Sequence, residues 1–198
     1  MKREIIDKYI TEARLSAYGN MDEYRDNLLL SRRFYILLAI LEVALRNSIN
    51  EHFAKKIGSD WLDDNHFLCK DAKRKISEAK NKLNHRHEPL TNDKIIAELN
   101  FGFWVGLFTQ PYEIYLRYED LKKIFPSIPS KKTTLITRRI LLSKLHLIKT
   151  FRNRLFHYEK VINKPEYTNM EDKIFELLGF FDNELAEFAK ELNSDIWY

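Results

Sequence analysis

The sequence has few of the residues that interrupt helices or cross-link a chain. It contains one cysteine, Cys69, so a disulfide within the chain is excluded. Only five glycines and five prolines occur in 198 residues, and the long segments between them carry apolar residues at helical spacing. These features predict an all-α protein, and the single thiol favours a reducing compartment such as the cytoplasm.

Neither a signal peptide nor a long hydrophobic run is visible in the sequence. The opening residues, MKREIIDKYITEARL, carry charges throughout, unlike a signal peptide. The most apolar run, Phe34 to Leu41, is followed by Glu42 and is too short to cross a bilayer. We therefore expect a cytoplasmic protein without a membrane partner, folded as a single domain over residues 1–198.

Positive charge is concentrated in two segments. Lys131 to Lys160 contains nine Lys or Arg and one acid, and Cys69 to His87 contains seven Lys or Arg and two acids. Such segregation predicts a surface that binds a polyanion, although ordinary solvated helix faces would give the same composition. The candidate RNA-contacting side chains in these segments are Lys73, Arg74, Lys75, Lys149 and Arg154.

The apolar spacing and the breaks between segments predict the main helices. They are Lys2–Ala17, Asp22–Ile57, Lys70–Leu83, Asp93–Leu99, a long basic helix from near Thr133 to Tyr158, and Met170–Leu192. Thr91 is suited to cap the fourth of these helices. Gly102 and Gly106 lie four residues apart among aromatic residues, which predicts close helix packing in the core. His85 and His87 could bind a metal in principle. Because no further ligands lie at the right spacing, a surface loop is the better interpretation.

The stretch RNRLFHYE, Arg152 to Glu159, combines side chains suited to phosphodiester chemistry. Arg152 lies four residues after Ile148 and three before Leu155, so it falls on or beside the apolar stripe, where a charge needs a partner. An imidazole such as His157 titrates near neutral pH and can move a proton, and a guanidinium binds phosphate. The alternative interpretation is structural, with Arg152 in a salt bridge to another helix.

Three segments of the chain, in order, resemble the Abi-like (AbiD/AbiF-type) abortive-infection proteins of the HEPN superfamily. They are LEVALRNSINEHFAKKIGSDWL from Leu41, LNFGFWVGLFTQPYE from Leu99 with the following IFP, and RNRLFHYE from Arg152. The last is similar to the family segment R-N-R-x-x-H-x-E. The resemblance implies a HEPN-like helical bundle with additional helices.

The resemblance also implies an RNase active site in which Arg152, Asn153 and His157 fill the motif positions. HEPN proteins commonly carry an E-x3-K/R element on an earlier helix, and Glu42 and Arg46 match it. Because Glu42 interrupts an apolar run, its carboxylate needs a partner, and Arg152 is the natural candidate, with Arg46 as the alternative.

The sequence departs from the family pattern after the motif histidine. A second histidine often follows there, and this chain has Tyr158. The substrate contacts of the family therefore do not carry over at this position.

These observations together predict a toxin-like endoribonuclease in anti-phage defence that needs neither metal nor cofactor. The resemblance implies a homodimer with a composite site, an RNA substrate cut to a 2′,3′-cyclic phosphate, and an inhibitory RNA or antitoxin. One alternative is a non-catalytic HEPN-fold scaffold that binds RNA or protein, because a fold alone does not settle function. A purely structural dimer is the third interpretation.

Overall fold

The computed structural model describes residues 2–194, and within that range it is all-α without a β-strand. The α-helices are α1 (Arg3–Tyr9), α2 (Glu12–Leu15), α3 (Met21–Lys56), α4 (Lys70–His85), α5 (Asn92–Glu98), α6 (Phe101–Gly106), α7 (Tyr118–Ile124), α8 (Arg138–Phe156), α9 (Met170–Phe181) and α10 (Asn183–Ser194). Short 3-10 helices cover Trp61–Asp63, Gln110–Tyr115 and Pro165–Tyr167. The predicted fold class is confirmed as all-α, whereas its HEPN-like character stays a prediction.

Helix α3 is the element on which the rest of the fold is assembled. It begins at the N-cap Asn20, whose side-chain oxygen accepts a hydrogen bond from the Glu23 amide at 2.8 Å. Its 36 residues make it about 54 Å long. A stripe of residues at helical spacing is buried along it: Phe34, Leu37, Leu38, Leu41, Leu45, Ile49 and Phe53. Helices α6, α7, α8, α9 and α10 all contact it, so the predicted spacing of apolar residues places the core along α3.

Helix α8 lies against α3, α6 and α9 and carries the candidate motif at its C-terminal end. Its buried stripe consists of Leu141, Leu145, Ile148, Phe151 and Leu155. The Phe34 and Phe151 rings meet edge to face with centroids 4.7 Å apart, which fixes α8 against α3.

The prediction that α8 begins near Thr133 was wrong by about one helical turn. Thr137 is the N-cap, and its hydroxyl accepts a hydrogen bond from the Ile140 amide at 3.3 Å. Arg138 is buried at the first helical position, where its Nη2 pairs with Glu113 Oε2 at 3.1 Å. Preceding residues form turns and extended backbone instead of helix.

Two predicted helices are each divided in two. The segment Lys2–Ala17 breaks at Thr11, which has a φ of 72° and whose hydroxyl caps α2 through the Arg14 amide. The segment Met170–Leu192 breaks at Asp182, which is extended with a φ of −163°. The Asp182 carboxylate accepts the Glu184 amide at 2.7 Å, so it ends α9 and starts α10. In both places a side chain accepts a hydrogen bond from a backbone amide of the next helix. This bond favours a new helix start over continuation of the preceding helix.

Buried residues from α3 to α10 form one continuous hydrophobic cluster. Within residues 2–194, no helix combines the length and apolar character needed to cross a bilayer.

Candidate active site

The end of α8 is a Schellman turn that presents His157 at the protein surface. The Tyr158 amide donates to the Leu155 carbonyl at 3.1 Å, and the Glu159 amide donates to the Arg154 carbonyl at 2.8 Å. Tyr158 has a φ of 57°, a left-handed conformation that costs a non-glycine residue about 1–2 kcal/mol. The side chains of His157 and Tyr158 are both exposed, so the turn holds the imidazole at the open end of the helix.

The chain after this turn is fastened to the N-terminal part of the protein. Asn27 on α3 is fully buried, and its side-chain oxygen accepts hydrogen bonds from the Val161 amide at 2.8 Å and the Ile162 amide at 3.1 Å. Its amide nitrogen donates to the Glu159 carbonyl at 3.3 Å. Arg14 Nη1 donates to the Tyr158 carbonyl at 2.7 Å. Because these bonds fix the backbone on the C-terminal side of His157, the motif is held at both ends.

Glu23 strengthens the same attachment. Its carboxylate accepts hydrogen bonds from the Gly19 amide, from Asn163 Nδ2 at 2.9 Å and from Lys160 Nζ at 2.7 Å. These bonds, that of Gly19 first, lower the pKa of Glu23 to about 2.

Arg152 lies between α8 and α3 and is paired with Glu42. Arg152 Nη2 and Glu42 Oε2 are 2.9 Å apart, and the two side chains are 26% and 21% exposed. The guanidinium also lies 4.8 Å from the centre of the Phe156 ring. The predicted pairing of Glu42 with Arg152 is confirmed. Glu42 is half-buried rather than fully inward, and Arg46 instead donates from Nε to Asn47 Oδ1 at 3.3 Å.

Two of the motif residues point away from the ion pair. Asn153 and His157 are exposed on the polar face of α8, in line with the exposed Arg139 and His146. Arg152 is therefore fixed on the α3 side of the helix, while Asn153 and His157 lie towards open surface. One protomer carries these groups at the end of α8 on different faces of the helix, with one imidazole from this motif.

Aromatic side chains lie exposed beside the ion pair. Tyr35 on α3 is 59% exposed, and its ring meets that of Phe156 edge to face with centroids 6.1 Å apart. Phe156 is itself 38% exposed. Exposed rings beside a guanidinium are surfaces on which an unstacked nucleobase packs well. Neither Tyr35 nor Phe156 was predicted as a site residue, although each follows a core position directly and therefore falls outside the apolar stripe of its helix.

A basic groove, defined by Arg14, Tyr18, Arg154, Lys160 and Lys164, adjoins the same turn. Its volume is about 590 Å³, and Thr11, Ala13, Ala17 and Glu159 complete its walls. Tyr18 is buried, and its hydroxyl has no hydrogen-bond partner within residues 2–194. Arg154, predicted to contact RNA, thus lies in a groove to which α2, the residues that flank it and the segment after α8 contribute. The contributions of Arg14 and Lys164 were not predicted, because only the fold brings them to α8.

The other predicted RNA-contacting side chains lie elsewhere, on α4 and the middle of α8. Gly102 and Gly106 lie on α6, between α4 and α8. A Cβ on Gly102 would lie 3.2 Å from Asn100 Oδ1 and 3.8 Å from Lys149 Cδ, and one on Gly106 would lie 4.0 Å from Lys75 Nζ. The aromatic residues around these glycines are buried, as predicted for core packing, but no backbone of a neighbouring helix within residues 2–194 lies within 4 Å of either Cβ position.

Carboxylates on α4 pair with two of the three predicted RNA-contacting side chains of the same helix. Arg74 pairs with Asp71 at 2.7 Å and also with Glu78, and Lys75 pairs with Asp71 at 2.8 Å. Lys73 Nζ donates to the Asn65 carbonyl at 2.9 Å. A phosphate would have to compete with these partners on α4. In the groove it would compete with Glu159 for Arg154, at 3.7 Å, and with Glu23 for Lys160, at 2.7 Å, whereas Lys164 has no carboxylate partner within residues 2–194.

Metal-ligand residues are dispersed in the part of the chain that the structure describes. No group of three or more His, Cys, Asp or Glu side chains is close enough to hold an ion there. His85 is the last residue of α4 and His87 lies in the turn that follows; both are exposed, and His87 has a φ of 56°.

Comparison with models of protein families, with curated proteins and with solved structures finds no match to this chain. What the site can do chemically therefore rests on its own residues and their contacts.

Proposed function

We propose that the chain is a metal-independent endoribonuclease that acts as a toxin in abortive infection, as its resemblance to Abi-like HEPN proteins implies. The observation that carries the proposal is the placement of one arginine and one histidine at the end of α8. Arg152 is oriented by Glu42 at 2.9 Å, and His157 is exposed in a turn that hydrogen bonds hold rigid. An oriented guanidinium and an exposed imidazole five residues apart at the end of one helix support the roles of charge stabiliser and proton-transfer group.

The reaction uses the ribose itself as the nucleophile. An imidazole of the site takes the proton of the 2′-hydroxyl, the 2′ oxygen attacks phosphorus, and the bond from phosphorus to the 5′ oxygen breaks. The leaving oxygen receives a proton, so the products are a 2′,3′-cyclic phosphate and a 5′-hydroxyl. The Arg152 guanidinium stabilises the extra negative charge on the phosphoryl oxygens, and Asn153 orients the phosphate or His157.

Glu42 is a positioning residue in this scheme. A guanidinium presents five donors in a fixed fork, so pairing one edge with Glu42 leaves donors for phosphate while fixing the direction of the fork. The Phe156 ring limits its movement from another side. Arg46 completes the E-x3-R element by resemblance, and its contact with Asn47 gives it a local role on α3.

A homodimer supplies the second proton-transfer group. In-line cleavage is served by both a base and an acid, and one motif offers one histidine. The exposed face of Arg139, His146, Asn153 and His157 would line a cleft shared by two copies related by a two-fold axis, the commonest symmetry of oligomers.

RNA is held along positive surface near the motif. Lys149, Arg154 and the basic groove support contacts to the phosphates on one side of the scissile bond, and Tyr35 and Phe156 support packing of a flanking base. Lys73, Arg74 and Lys75 remain candidates for weaker contacts because of their ion pairs. A toxin of this kind requires restraint in its host, and an inhibitory RNA or antitoxin that covers the positive surface would provide it.

Growth under induced expression tests the proposal in cells. Wild-type protein should arrest growth and degrade cellular RNA, whereas His157→Ala protein at the same level should do neither. Equal arrest by both proteins would overturn the assignment of His157.

The second candidate is a non-catalytic scaffold that binds RNA or protein. It is favoured by the contacts of Arg152, because an ion pair to Glu42 and packing on Phe156 also suffice for a purely structural role. Under this alternative, RNA binds without being cut, and His157→Ala leaves both binding and growth unchanged.

A further inference from the structure

A second pocket lies between the C-terminal part of α3 and helix α7. Its volume is about 590 Å³, within the range of small-ligand sites. Helix α3 contributes His52, Lys55 and Lys56 from one face, and α7 contributes Asp120, Lys122 and Lys123. His52 is ten residues beyond Glu42 on α3, which places it about 15 Å along the helix from the candidate active site. One phosphate group therefore cannot contact both sites.

The inner wall of this pocket contains a buried polar atom without a partner. The His52 side chain is 2% exposed, and its Nε2 lies 3.6 Å from Asp120 Oδ1, too far for a hydrogen bond. This nitrogen has no hydrogen-bond partner within residues 2–194. Burial lowers the pKa of His52, and the backbone of Tyr115 hydrogen-bonds the ring. Because that contact takes the Nδ1–H, Nε2 of the neutral ring is a hydrogen-bond acceptor. A phosphate hydroxyl, or a water held by the ligand, would donate to it.

The charge of the pocket is positive after its internal pairs are formed. Lys56 pairs with Asp120 at 2.6 Å, and Lys55 pairs with Glu51 on the same helix. Lys122 and Lys123 are exposed and have no carboxylate partner within residues 2–194. Two unpaired ammonium groups thus remain at the pocket mouth. Each has three hydrogen-bond donors, which suits an anion with several oxygens.

Asp120 is held in place independently of any ligand. Its second oxygen, Oδ2, accepts a hydrogen bond from the Arg117 amide at 3.0 Å, which caps α7. Lys56 also donates to the Tyr115 carbonyl at 3.0 Å. The floor of the pocket is therefore rigid, and Lys122 and Lys123 are the charges that are free to move onto a ligand.

We propose that this pocket is a separate binding site for a phosphate monoester or diphosphate group, held by Lys122 and Lys123 in front of His52. The group belongs either to a small phosphorylated molecule or to the 5′ end of an RNA, because both present the same oxygens and charge. The site is separate from the candidate active site, since His52 lies about 15 Å from Glu42 along α3. It does not depend on the proposed nuclease function.

Titration calorimetry with inorganic pyrophosphate at constant ionic strength tests the site. Wild-type protein should bind it saturably, and Lys122→Ala/Lys123→Ala should weaken binding at least tenfold. The matched control is Lys8→Ala/Lys132→Ala, which removes the same charge from exposed positions elsewhere and should bind as wild type. His52→Gln, with helical circular dichroism retained, should weaken binding as well.

Competition identifies the source of the phosphate. Displacement of pyrophosphate by a 5′-phosphorylated RNA oligonucleotide, but not by the same oligonucleotide with a 5′-hydroxyl, assigns the site to RNA ends. No displacement by either supports a small molecule. Absence of saturable binding, equal weakening in the control variant, or equal displacement by an acidic peptide would overturn the proposal.

Discussion

The guanidinium of Arg152 on α8 and the carboxylate of Glu42 on α3 form an ion pair, with Nη2 and Oε2 2.9 Å apart. The pair joins the helix that carries the motif to the helix that carries the core. It gives Arg152, whose charge lies beside the apolar stripe of α8, an oppositely charged partner. It also sets the direction of the guanidinium relative to the exposed face that carries Asn153 and His157.

Replacing one partner of this pair should destabilise the fold. Loss of one partner costs about 3–5 kcal/mol for a buried pair and about 0–1 kcal/mol for an exposed one. Since both side chains are about a quarter exposed, Glu42→Gln should lower the free energy of unfolding by about 1–2 kcal/mol. Urea denaturation measures this. Glu78→Gln, which removes an exposed carboxylate paired with Arg74, is the control and should change stability little. Equal stability of wild type and Glu42→Gln would contradict a contribution from the pair.

This pair was predictable because a single charge in an apolar run needs a partner. Helix α3 was likewise predictable to within about one residue at each end, since its apolar spacing, Asn20 and Gly58 mark its bounds. The division of helices at Thr11 and Asp182 was not predictable from periodicity. There, one side chain that caps backbone amides decides the break, and the apolar pattern continues through it.

The candidate site was predictable only for residues close together in sequence. The attachment by Asn27 depends on backbone groups of a distant segment, and the groove depends on α2 and its flanking residues lying near Arg154 of α8. The acids that balance Arg74 were visible in the sequence at i−3 and i+4, whereas the contact between Lys149 and Gly102 requires the packing of α6.

Glu23 should make stability depend on pH in the acid range. Its pKa is about 2 in the fold, below the ordinary value of 4.5, so its stabilising contribution is complete above about 4.5 and is lost as pH falls towards 2. The difference in melting temperature between wild type and Glu23→Gln should therefore be largest above pH 4.5 and shrink as pH falls. A difference that stays constant from pH 7 to pH 3 would contradict this. It would show that the contacts of Glu23 with Gly19, Lys160 and Asn163 do not stabilise the fold through the carboxylate charge.

RNA affinity should fall steeply with salt, and the two basic surfaces should contribute unequally. Each phosphate contact to single-stranded RNA adds about 0.7 to the slope of log affinity against log salt. Changing Lys149, Arg154 and Lys164 to Ala should reduce the slope by about 2. The matched change of Lys73, Arg74 and Lys75 to Ala should reduce it less, because Asp71 and Glu78 pair closely with two of these charges. In the first set, the ion pair within residues 2–194 is that of Arg154 with Glu159, at 3.7 Å. Fluorescence anisotropy across a salt series measures both slopes. A larger reduction from the α4 variant would place the RNA on α4.

The proposed homodimer should bring the two α8 helices together at their exposed faces. Light scattering should give twice the 23.8 kDa chain mass. Asn153→Cys in a Cys69→Ser background should cross-link between chains under mild oxidation, since Asn153 is exposed on that face. Cysteine placed at Lys132, exposed outside α8, is the control and should not cross-link. A monomer that still cuts RNA would remove the composite site and leave the nuclease proposal standing.

Cleavage of a labelled RNA in EDTA by wild type and His157→Ala is the most direct test of the nuclease proposal. Wild type should cut and leave 2′,3′-cyclic phosphate ends, because the 2′-hydroxyl is the nucleophile. His157→Ala should lose cutting by at least about 100-fold, the usual scale of general acid–base catalysis, while it keeps its helical circular dichroism. His66→Ala, which alters an exposed histidine in the loop before α4, is the control and should cut as wild type does. Equal cutting by His157→Ala, or cutting only with added magnesium, would contradict the account.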